Sequence, residues 1–276
     1  MLLTIAGPQK AGTTSVFRYI CNSKNVCGSK VKETDFFTYN YDRKKNWFES
    51  LFECDEYSVQ CEASPRNLMH PEAPSRIKQE YPDARIVFIF RNPIQRAYSH
   101  YWFRVSRGNI QPLRTFSEII RESNNEVAKR VILEQGLYCK HLCNYLLHFD
   151  INQIKILKFD DLNHKKHDFI RSILNFVEID YENFSLPKED RYNVTSHPSS
   201  FRLYAGLRRL YNNFEPFLGS MPYSDEFKRK IRNLVFSTKE RPTISDEDRE
   251  YLEKFYIEDI RELNSYTEFD TLDWLE

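Results

Sequence analysis

Residues 2–20 read LLTIAGPQKAGTTSVFRYI and decide the fold of this chain. The apolar, partly β-branched start of this stretch predicts a buried strand. A loop bounded by Gly7 and Gly12 follows, and the hydroxyl side chains of residues 13–15 are of the kind that cap a helix. Strand, loop and helix N-terminus together predict an anion-binding cradle, because exposed backbone N–H groups and the helix dipole both favour negative charge there. Lys10 adds a full positive charge inside the loop.

The loop differs from the P-loop of nucleoside triphosphatases, which reads G-x-x-x-x-G-K-[ST]. Gly7 and Gly12 keep the interval between the glycines, but Thr13 stands where that motif has its lysine, and the lysine is Lys10 instead. The loop is either a glycine turn with an incidental lysine or a phosphate loop altered for another ligand, and we favour the second. A P-loop nucleotide or sugar kinase remains an alternative, which magnesium dependence and ATP turnover would support.

The composition indicates one folded domain over residues 1–276, with 41% hydrophobic and 15% aromatic residues. The 40 basic residues balance the 40 acidic ones, so a surface for nucleic acid is not expected, although a local basic cleft is compatible with this balance. No run approaches the roughly 18 apolar residues of a membrane span, and no signal segment precedes the first strand. If Met1 is the true start, we expect a cytoplasmic protein.

The cysteines and histidines do not form a metal-binding pattern. The sequence contains neither C-x-x-C nor H-E-x-x-H, so no metal is expected. Cys139 and Cys143 stand one helical turn apart and would share a face. Reduced, half-buried thiols are favoured over a disulfide framework for all six cysteines.

Residues 85–90, RIVFIF, form the clearest predicted strand. The run is apolar after its first residue, which predicts that both faces are covered, as in a parallel sheet. It places Arg91 at the carboxyl edge of the sheet, and the helix that follows carries Ser99 and His100. A guanidinium and a hydroxyl are able to hold one phosphate from two sides, whereas the alternative is a salt-bridged arginine and a surface serine. His100 points about 100° away from Ser99 and is interpreted as structural.

Residues 32–37, KETDFF, follow the short predicted strand near Val26. Ligands of parallel sheets gather at the carboxyl ends of strands, so a carboxylate in this segment would lie near the glycine loop. The alternative is a charged loop closed by two phenylalanines of the core.

Three of these stretches, in this order, resemble sulfotransferases that use 3′-phosphoadenosine 5′-phosphosulfate (PAPS). Residues 7–15 are similar to the 5′-phosphosulfate loop of that family, and residues 32–37 match its K-E-x-x-F-F segment in glycan O-sulfotransferases. The pattern R-N-P-x-x-R-A-x-S-x-Y at residues 91–101 resembles the 3′-phosphate site. The resemblance spans nearly the whole chain. It implies an α/β, P-loop-like three-layer fold with a central parallel sheet flanked by helices, and release of the donor as PAP.

The resemblance also implies individual roles. Glu33 would be the general base, and Lys10 would neutralise charge on the departing phosphate. The donor would be bound by Lys10, Ala11, Gly12, Thr13, Thr14, Ser15, Arg91 and Ser99, with Ser196 and Arg202 as lid contacts. On the acceptor side, Lys32, Asp35 and Arg66 are the expected contacts, with Asp35 as a supporting acid.

The acceptor is expected to be a carbohydrate hydroxyl, because residues 62–77 are similar to the segment E-x-[ST]-P…A-P-x-R-I of the glycan enzymes. Ala63 and Asn67 stand where some glycosaminoglycan-sulfating members carry a lysine and an aromatic residue, which argues against a heparan-type acceptor. Small-molecule, lipid and tyrosine hydroxyls are the alternatives within this class. A non-catalytic nucleotide-binding module is a further alternative, which PAP binding without transfer would support.

Overall fold

The computed structural model describes residues 1–54, 58–107, 109–110, 114–122, 126–181, 184–186, 197–198, 236–237 and 242–275. The strands described are β1 (Leu2–Ile5), β2 (Val26–Gly28), β3 (Val59–Glu62), β4 (Arg85–Phe90), β5 (Ile154–Lys158), β6 (His197–Pro198) and β7 (Phe236–Ser237). The α-helices described are α1 (Thr13–Ile20), α2 (Lys44–Glu49), α3 (Ala73–Glu80), α4 (Pro93–Arg107), α5 (Phe116–Arg121), α6 (Glu126–Ile132), α7 (Tyr138–Leu146), α8 (Phe159–His164), α9 (Lys166–Phe176) and α10 (Asp246–Leu263). Among the residues described, no helix is both long and apolar enough to span a bilayer.

A parallel sheet of five strands, ordered β2-β3-β1-β4-β5, forms the centre of the fold. The register pairs Leu3 with Cys61 on one side and with Arg85 on the other. Because all five strands run the same way, their carboxyl ends meet at one edge of the sheet. The central parallel sheet predicted from the sequence is confirmed, and this edge receives the loops after β1, β2, β3 and β4.

Alternate residues of β4 face opposite layers of helices. Val87 and Ile89 belong to a buried cluster with side chains of α1 and α9. On the other face, the Phe88 ring meets Tyr145 of α7 edge-on at 4.9 Å between centroids, and Phe90 stacks on Tyr138 at 4.3 Å. Both faces of the continuous apolar strand are therefore covered, as the sequence predicted.

The chain divides into two compact units. The first comprises residues 1–96, 134–192 and 251–276 and contains the five-stranded sheet. The second comprises residues 97–133 and 193–250, and its described part includes α5, α6 and the antiparallel pair β6–β7. The single domain expected from the sequence stays a prediction.

Cys27 and Cys54 form a disulfide, with 5.5 Å between their Cα atoms. The prediction of reduced thiols is wrong for this pair. The other four cysteines are free thiols, and the Sγ atoms of Cys139 and Cys143 lie 3.9 Å apart, on one helix face as predicted. The end of β2 and the turn after α2 meet only in the folded chain, so the spacing of the two bonded cysteines gave no signal.

Replacing both bonded cysteines by serine is expected to lower the free energy of unfolding by about 3–4 kcal/mol. The bond closes a loop of 27 residues and so restricts the unfolded chain, and the estimate follows the loop-length dependence of that restriction. Denaturant unfolding of the Cys27→Ser, Cys54→Ser double variant measures the loss, with Cys143→Ser as the control. Equal stability of the double variant and the control would contradict a structural role for the bond.

Candidate active site

The N-terminus of α1 faces the glycine loop without a side-chain cap. Gly12 is the N-cap residue, with φ 80° and ψ 7°, and no acidic residue lies in the first turn. The left-handed conformation favours glycine, and a Cβ at this position would lie 2.9 Å from side-chain atoms of Leu162 and Phe159. The prediction that a hydroxyl side chain caps this helix is wrong, because residues 13–15 form the first turn itself. The N-terminal amides and the helix dipole therefore offer a site for an anion.

Lys10 adopts a left-handed backbone conformation within the loop, with φ 74°. This conformation costs a non-glycine residue roughly 1–2 kcal/mol, and such strain concentrates at ligand-binding sites. Two hydrogen bonds hold the backbone that leads into Lys10, from Ala6 N to the Val87 carbonyl and from Gln9 N to Gln135 Oε1, each 3.0 Å long. A fixed loop, a lysine and helix N-terminal amides together fit a phosphate or sulfate group.

Arg91 follows β4 directly and contacts the glycine loop. Its Nη1 donates to the Lys10 carbonyl oxygen at 3.3 Å, and its guanidinium carbon lies 4.9 Å from the centroid of the Phe159 ring. The Tyr138 hydroxyl donates to the Arg91 carbonyl oxygen at 2.8 Å and so fixes the backbone there. The structure thus brings two predicted donor-binding residues, Lys10 and Arg91, to one place. Ser99 lies on α4 in the second unit and is buried.

The segment of residues 32–37 follows β2 and carries the predicted base. The Glu33 side chain is 41% exposed, and its Oε1 accepts a hydrogen bond of 3.1 Å from Lys32 Nζ. Lys32 Nζ also donates to the Ala63 carbonyl oxygen at 3.3 Å, which ties the segment to the turn after β3. Phe36 and Phe37 are fully buried and close the segment against the core. The segment therefore combines a fixed backbone with an accessible carboxylate, as proton transfer from an incoming hydroxyl requires.

Asp35 and Arg66, both predicted to lie on the acceptor side, form an ion pair with each other. Asp35 has φ 49° and is a second strained residue at this edge of the sheet. Burial raises the pKa of the Asp35 carboxyl above its usual value, and the Arg66 guanidinium opposes that rise. Arg66 also lies over the exposed Tyr39 ring, with 5.6 Å between its guanidinium carbon and the ring centroid. The two predicted residues thus form one charge-balanced pair.

Glu62, the last residue of β3, is a candidate that the sequence reasoning missed. The residue is completely buried and pairs in register with Thr4 of the adjacent strand β1. Its carboxylate accepts hydrogen bonds from Ser64 Oγ at 2.6 Å and from Asn67 Nδ2 at 2.8 Å. Burial raises the pKa of Glu62 to about 7, although Ser64 and Lys32 stabilise the charged form. The sequence signal that could have identified Glu62 was a carboxylate at the end of a buried strand, immediately before the sequence A-S-P.

Three further expectations from the sequence concern the lid contacts, His100 and metal ions. Ser196 and Arg202, the expected lid contacts, lie outside the described residues. His100 is 1% exposed within α4. Within the part of the chain that the structure describes, one group of potential metal ligands occurs, formed by Cys139, Cys143 and Glu262, none of which is a predicted site residue. Reaction without a metal stays a prediction.

Comparison with known proteins identifies a family. The sequence profile of the sulfotransferase domain matches residues 3–264. A bifunctional heparan sulfate N-deacetylase/N-sulfotransferase 1 of Caenorhabditis elegans is 31% identical over 190 residues, which are 64% of this chain and 22% of the relative. The human heparan sulfate glucosamine 3-O-sulfotransferase 3B1 is 27% identical over 152 residues, or 54% of this chain and 39% of the relative. The chain thus spans well under half the length of these relatives.

Solved structures agree on the fold. A sulfotransferase from Alicyclobacillus acidocaldarius superimposes with a TM-score of 0.70 at 20% identity, covering 99% of this chain and 98% of that one. A mouse sulfotransferase complexed with PAP gives a TM-score of 0.54 at 13% identity over 96% of this chain and 86% of its own. At these identities the likeness establishes a common architecture, which agrees with the three-layer fold implied by the sequence.

Proposed function

This chain belongs to the sulfotransferase domain family, and we propose that it transfers a sulfonate group from PAPS to a carbohydrate hydroxyl and releases PAP. The observation that supports this proposal best is the uncapped N-terminus of α1 beside Lys10, at the carboxyl edge of a parallel sheet. PAPS supplies an activated sulfonate on a phosphate leaving group. In the proposal, residues 10–15 bind the phosphosulfate end, and Arg91 and Ser99 bind the 3′-phosphate.

The residues of this chain would contribute positioning of the reactants, charge neutralisation and the removal of one proton. Lys10 and the first amides of α1 would neutralise the charge that grows on the departing phosphate oxygen, an effect that is strongest when the donors are already in place. The Glu33 carboxylate would accept the proton of the acceptor hydroxyl as the new S–O bond forms. Lys32, at 3.1 Å from Glu33, would hold that carboxylate during the approach of the acceptor.

The proposed acceptor is a glycan. The names of the relatives support this, since they are heparan sulfate sulfotransferases, and so does the match of residues 32–37 and 62–77 to the glycan enzymes. The two charged pairs at this edge, Lys32 with Glu33 and Arg66 with Asp35, balance each other. Together with Ala63 and Asn67, this balance favours an acceptor less acidic than heparan sulfate. Transfer assays from PAPS to neutral and to carboxylated oligosaccharides test the proposal, and PAPS consumption with no sulfated product in either set would contradict it.

Arg91→Ala is expected to raise the Kd for PAP about 100-fold while changing the Kd for 5′-AMP, which lacks the 3′-phosphate, less than threefold. A hydrogen bond between charged groups contributes about 1.5–3 kcal/mol, which is roughly one to two tenfold steps in Kd. Calorimetry with the two nucleotides measures the difference. Ser99→Ala is expected to raise the Kd for PAP about tenfold, again with little change in the Kd for 5′-AMP. Equal losses for both nucleotides would contradict the assignment and instead indicate that Arg91 supports the loop through the Lys10 carbonyl.

The cytoplasmic location expected from the sequence stays a prediction. The disulfide between Cys27 and Cys54 is of a type that persists mainly in oxidising compartments, and it therefore favours a different location. Alkylation of the native protein directly upon cell lysis, followed by mass spectrometry of the two cysteines, decides between the two expectations.

A further inference from the structure

We propose that Glu62 is a positioning residue for the segment of residues 32–37: its buried carboxylate fixes the backbone of that segment and so holds Glu33 in place. The inference rests on the proposed function in taking Glu33 as the base. Glu62 has no direct contact with Glu33 among the described hydrogen bonds and acts through Thr34 and Ser64. The role differs from catalysis, because the Glu62 side chain is completely buried and inaccessible to an acceptor.

Three side chains donate hydrogen bonds to the Glu62 carboxylate. Ser64 Oγ lies 2.6 Å from Oε2, Thr34 Oγ1 lies 3.4 Å from the same oxygen, and Asn67 Nδ2 lies 2.8 Å from Oε1. A carboxylate that accepts from three donors is matched by its surroundings in the ionised form. The arrangement is therefore built for a charged Glu62, which is an uncommon state for a fully buried side chain.

The hydroxyls of Ser64 and Thr34, which donate to Glu62, each also accept a hydrogen bond from a backbone amide of the segment. Ser64 Oγ accepts from Asp35 N at 3.1 Å, and Thr34 Oγ1 accepts from Phe36 N at 3.3 Å. A hydroxyl that donates to an anion becomes a better acceptor for its second partner. The negative charge of Glu62 thus strengthens two bonds to residues 35 and 36. It also attracts Lys32, whose Nζ binds Glu33.

The charge of Glu62 depends on pH, so the proposed role predicts a measurable pH dependence. Four titratable groups face it: Lys32 favours its ionised form, whereas Asp35, Cys61 and Tyr145 are acidic groups nearby. Burial outweighs the Lys32 charge and raises the pKa of Glu62 to about 7. A protonated Glu62 has a carboxyl hydrogen of its own to donate. One of the groups that donate to the ionised carboxylate would then have to accept that hydrogen instead. The hydrogen bonds that fix the backbone of residues 32–37 are therefore expected to weaken below pH 7.

Stability and activity are expected to respond to this ionisation in opposite directions. Because the folded-state pKa of Glu62 is raised above 4.5, the folded chain binds more protons than the unfolded chain between about pH 4.5 and 7. Stability therefore falls as pH rises through this window and levels off above it. Transfer, in contrast, is expected to rise through pH 7 as the network forms. A purely structural Glu62 would affect stability without this rise in transfer.

The test compares Glu62→Gln with the wild-type chain, because glutamine has the shape of the protonated acid and no charge. Hydrogen exchange of the amides of residues 35 and 36 at pH 8 measures positioning without any need for activity. We expect exchange about tenfold faster in the variant, with PAP affinity within twofold of wild type. With PAPS and a desulfated heparin oligosaccharide as probe, we expect kcat at pH 8 about tenfold lower and the rise of kcat near pH 7 lost. Ser64→Ala, which keeps the carboxylate, is expected to speed exchange at residue 35 as well, and Glu53→Gln at an exposed ion pair is the control.

Unchanged exchange at residues 35 and 36 in both variants would overturn the proposal, and so would a Glu62→Gln variant that keeps the full pH dependence of kcat. If the wild-type chain neither binds PAP nor transfers sulfonate, the proposed function fails. The exchange data still report in that case whether Glu62 positions the segment. Should Glu62→Gln not fold, the protection of these two amides in the wild-type chain decides, because it is expected to fall below pH 7 as Glu62 becomes protonated, and constant protection would overturn the proposal.

Discussion

Lys10→Ala is expected to lower kcat for sulfonate transfer by about 10²–10³-fold and to leave the chain folded. Removal of one prepositioned group that neutralises transition-state charge has an effect of this size. Lys10 is the cation within the loop that joins β1 to α1, and its strained backbone indicates that the position is held for a ligand. Initial rates with PAPS at saturating acceptor measure the loss, and circular dichroism and the unfolding midpoint confirm the fold.

A second variant at position 10 separates the effect of the lysine charge from that of the backbone strain. Lys10→Gly removes the charge and also relieves the left-handed backbone, so it is expected to be as inactive as Lys10→Ala but more stable. Lys24→Ala, at an exposed lysine after α1, is the matched control and should keep full activity. Activity of Lys10→Ala within threefold of wild type would mean that the helix amides suffice and that Lys10 has no catalytic role.

Glu33→Gln is expected to lower kcat by about 10²–10⁴-fold, the range of general base catalysis, with little change in the affinity for PAP. The side chain is 41% exposed and pairs only with the neighbouring Lys32 among the described ion pairs, so the substitution should not unfold the chain. Single-turnover measurements of sulfonate transfer isolate the chemical step from product release. Glu49→Gln, a partly exposed glutamate on α2, is the control.

Near-normal turnover of Glu33→Gln would show that another group takes the proton. His100 is then the next candidate from the sequence, but it is 1% exposed and would have to become accessible to the acceptor. Single-turnover measurement of a His100→Gln variant then tests this alternative, since loss of the true base lowers the rate of the chemical step.

The sheet and its edge were predictable because each depends on local pattern. The unbroken apolar run of β4 predicted a strand covered on both faces, and its two faces pack on α1 with α9 and on α7. The same pattern placed Arg91 at the end of the strand, and the structure adds its hydrogen bond to the Lys10 carbonyl oxygen. Residues 32–37 follow β2, a parallel strand of the same sheet, and therefore reach the predicted edge, whereas their nearness to the glycine loop stays a prediction.

The features that the sequence did not reveal depend on contacts between distant parts of the chain. The disulfide joins Cys27 of β2 to Cys54 in the segment after α2, and the sequence spacing of the two cysteines does not indicate that these segments meet. The network around Glu62 unites residues 34, 62, 64 and 67, and only the fold buries the carboxylate. At α1, the hydroxyl residues suggested a cap, but the left-handed Gly12 begins the helix and leaves the amides to a ligand.

Calorimetric titration of the wild-type chain with PAP, in the absence of magnesium, is the decisive test of the proposed donor site. We expect saturable binding of one PAP per chain, weakened in Lys10→Ala and in Arg91→Ala, and no comparable binding of ADP with or without magnesium. Absence of PAP binding, or tighter binding of ADP with magnesium, would contradict the claim that this loop receives the phosphosulfate end of PAPS.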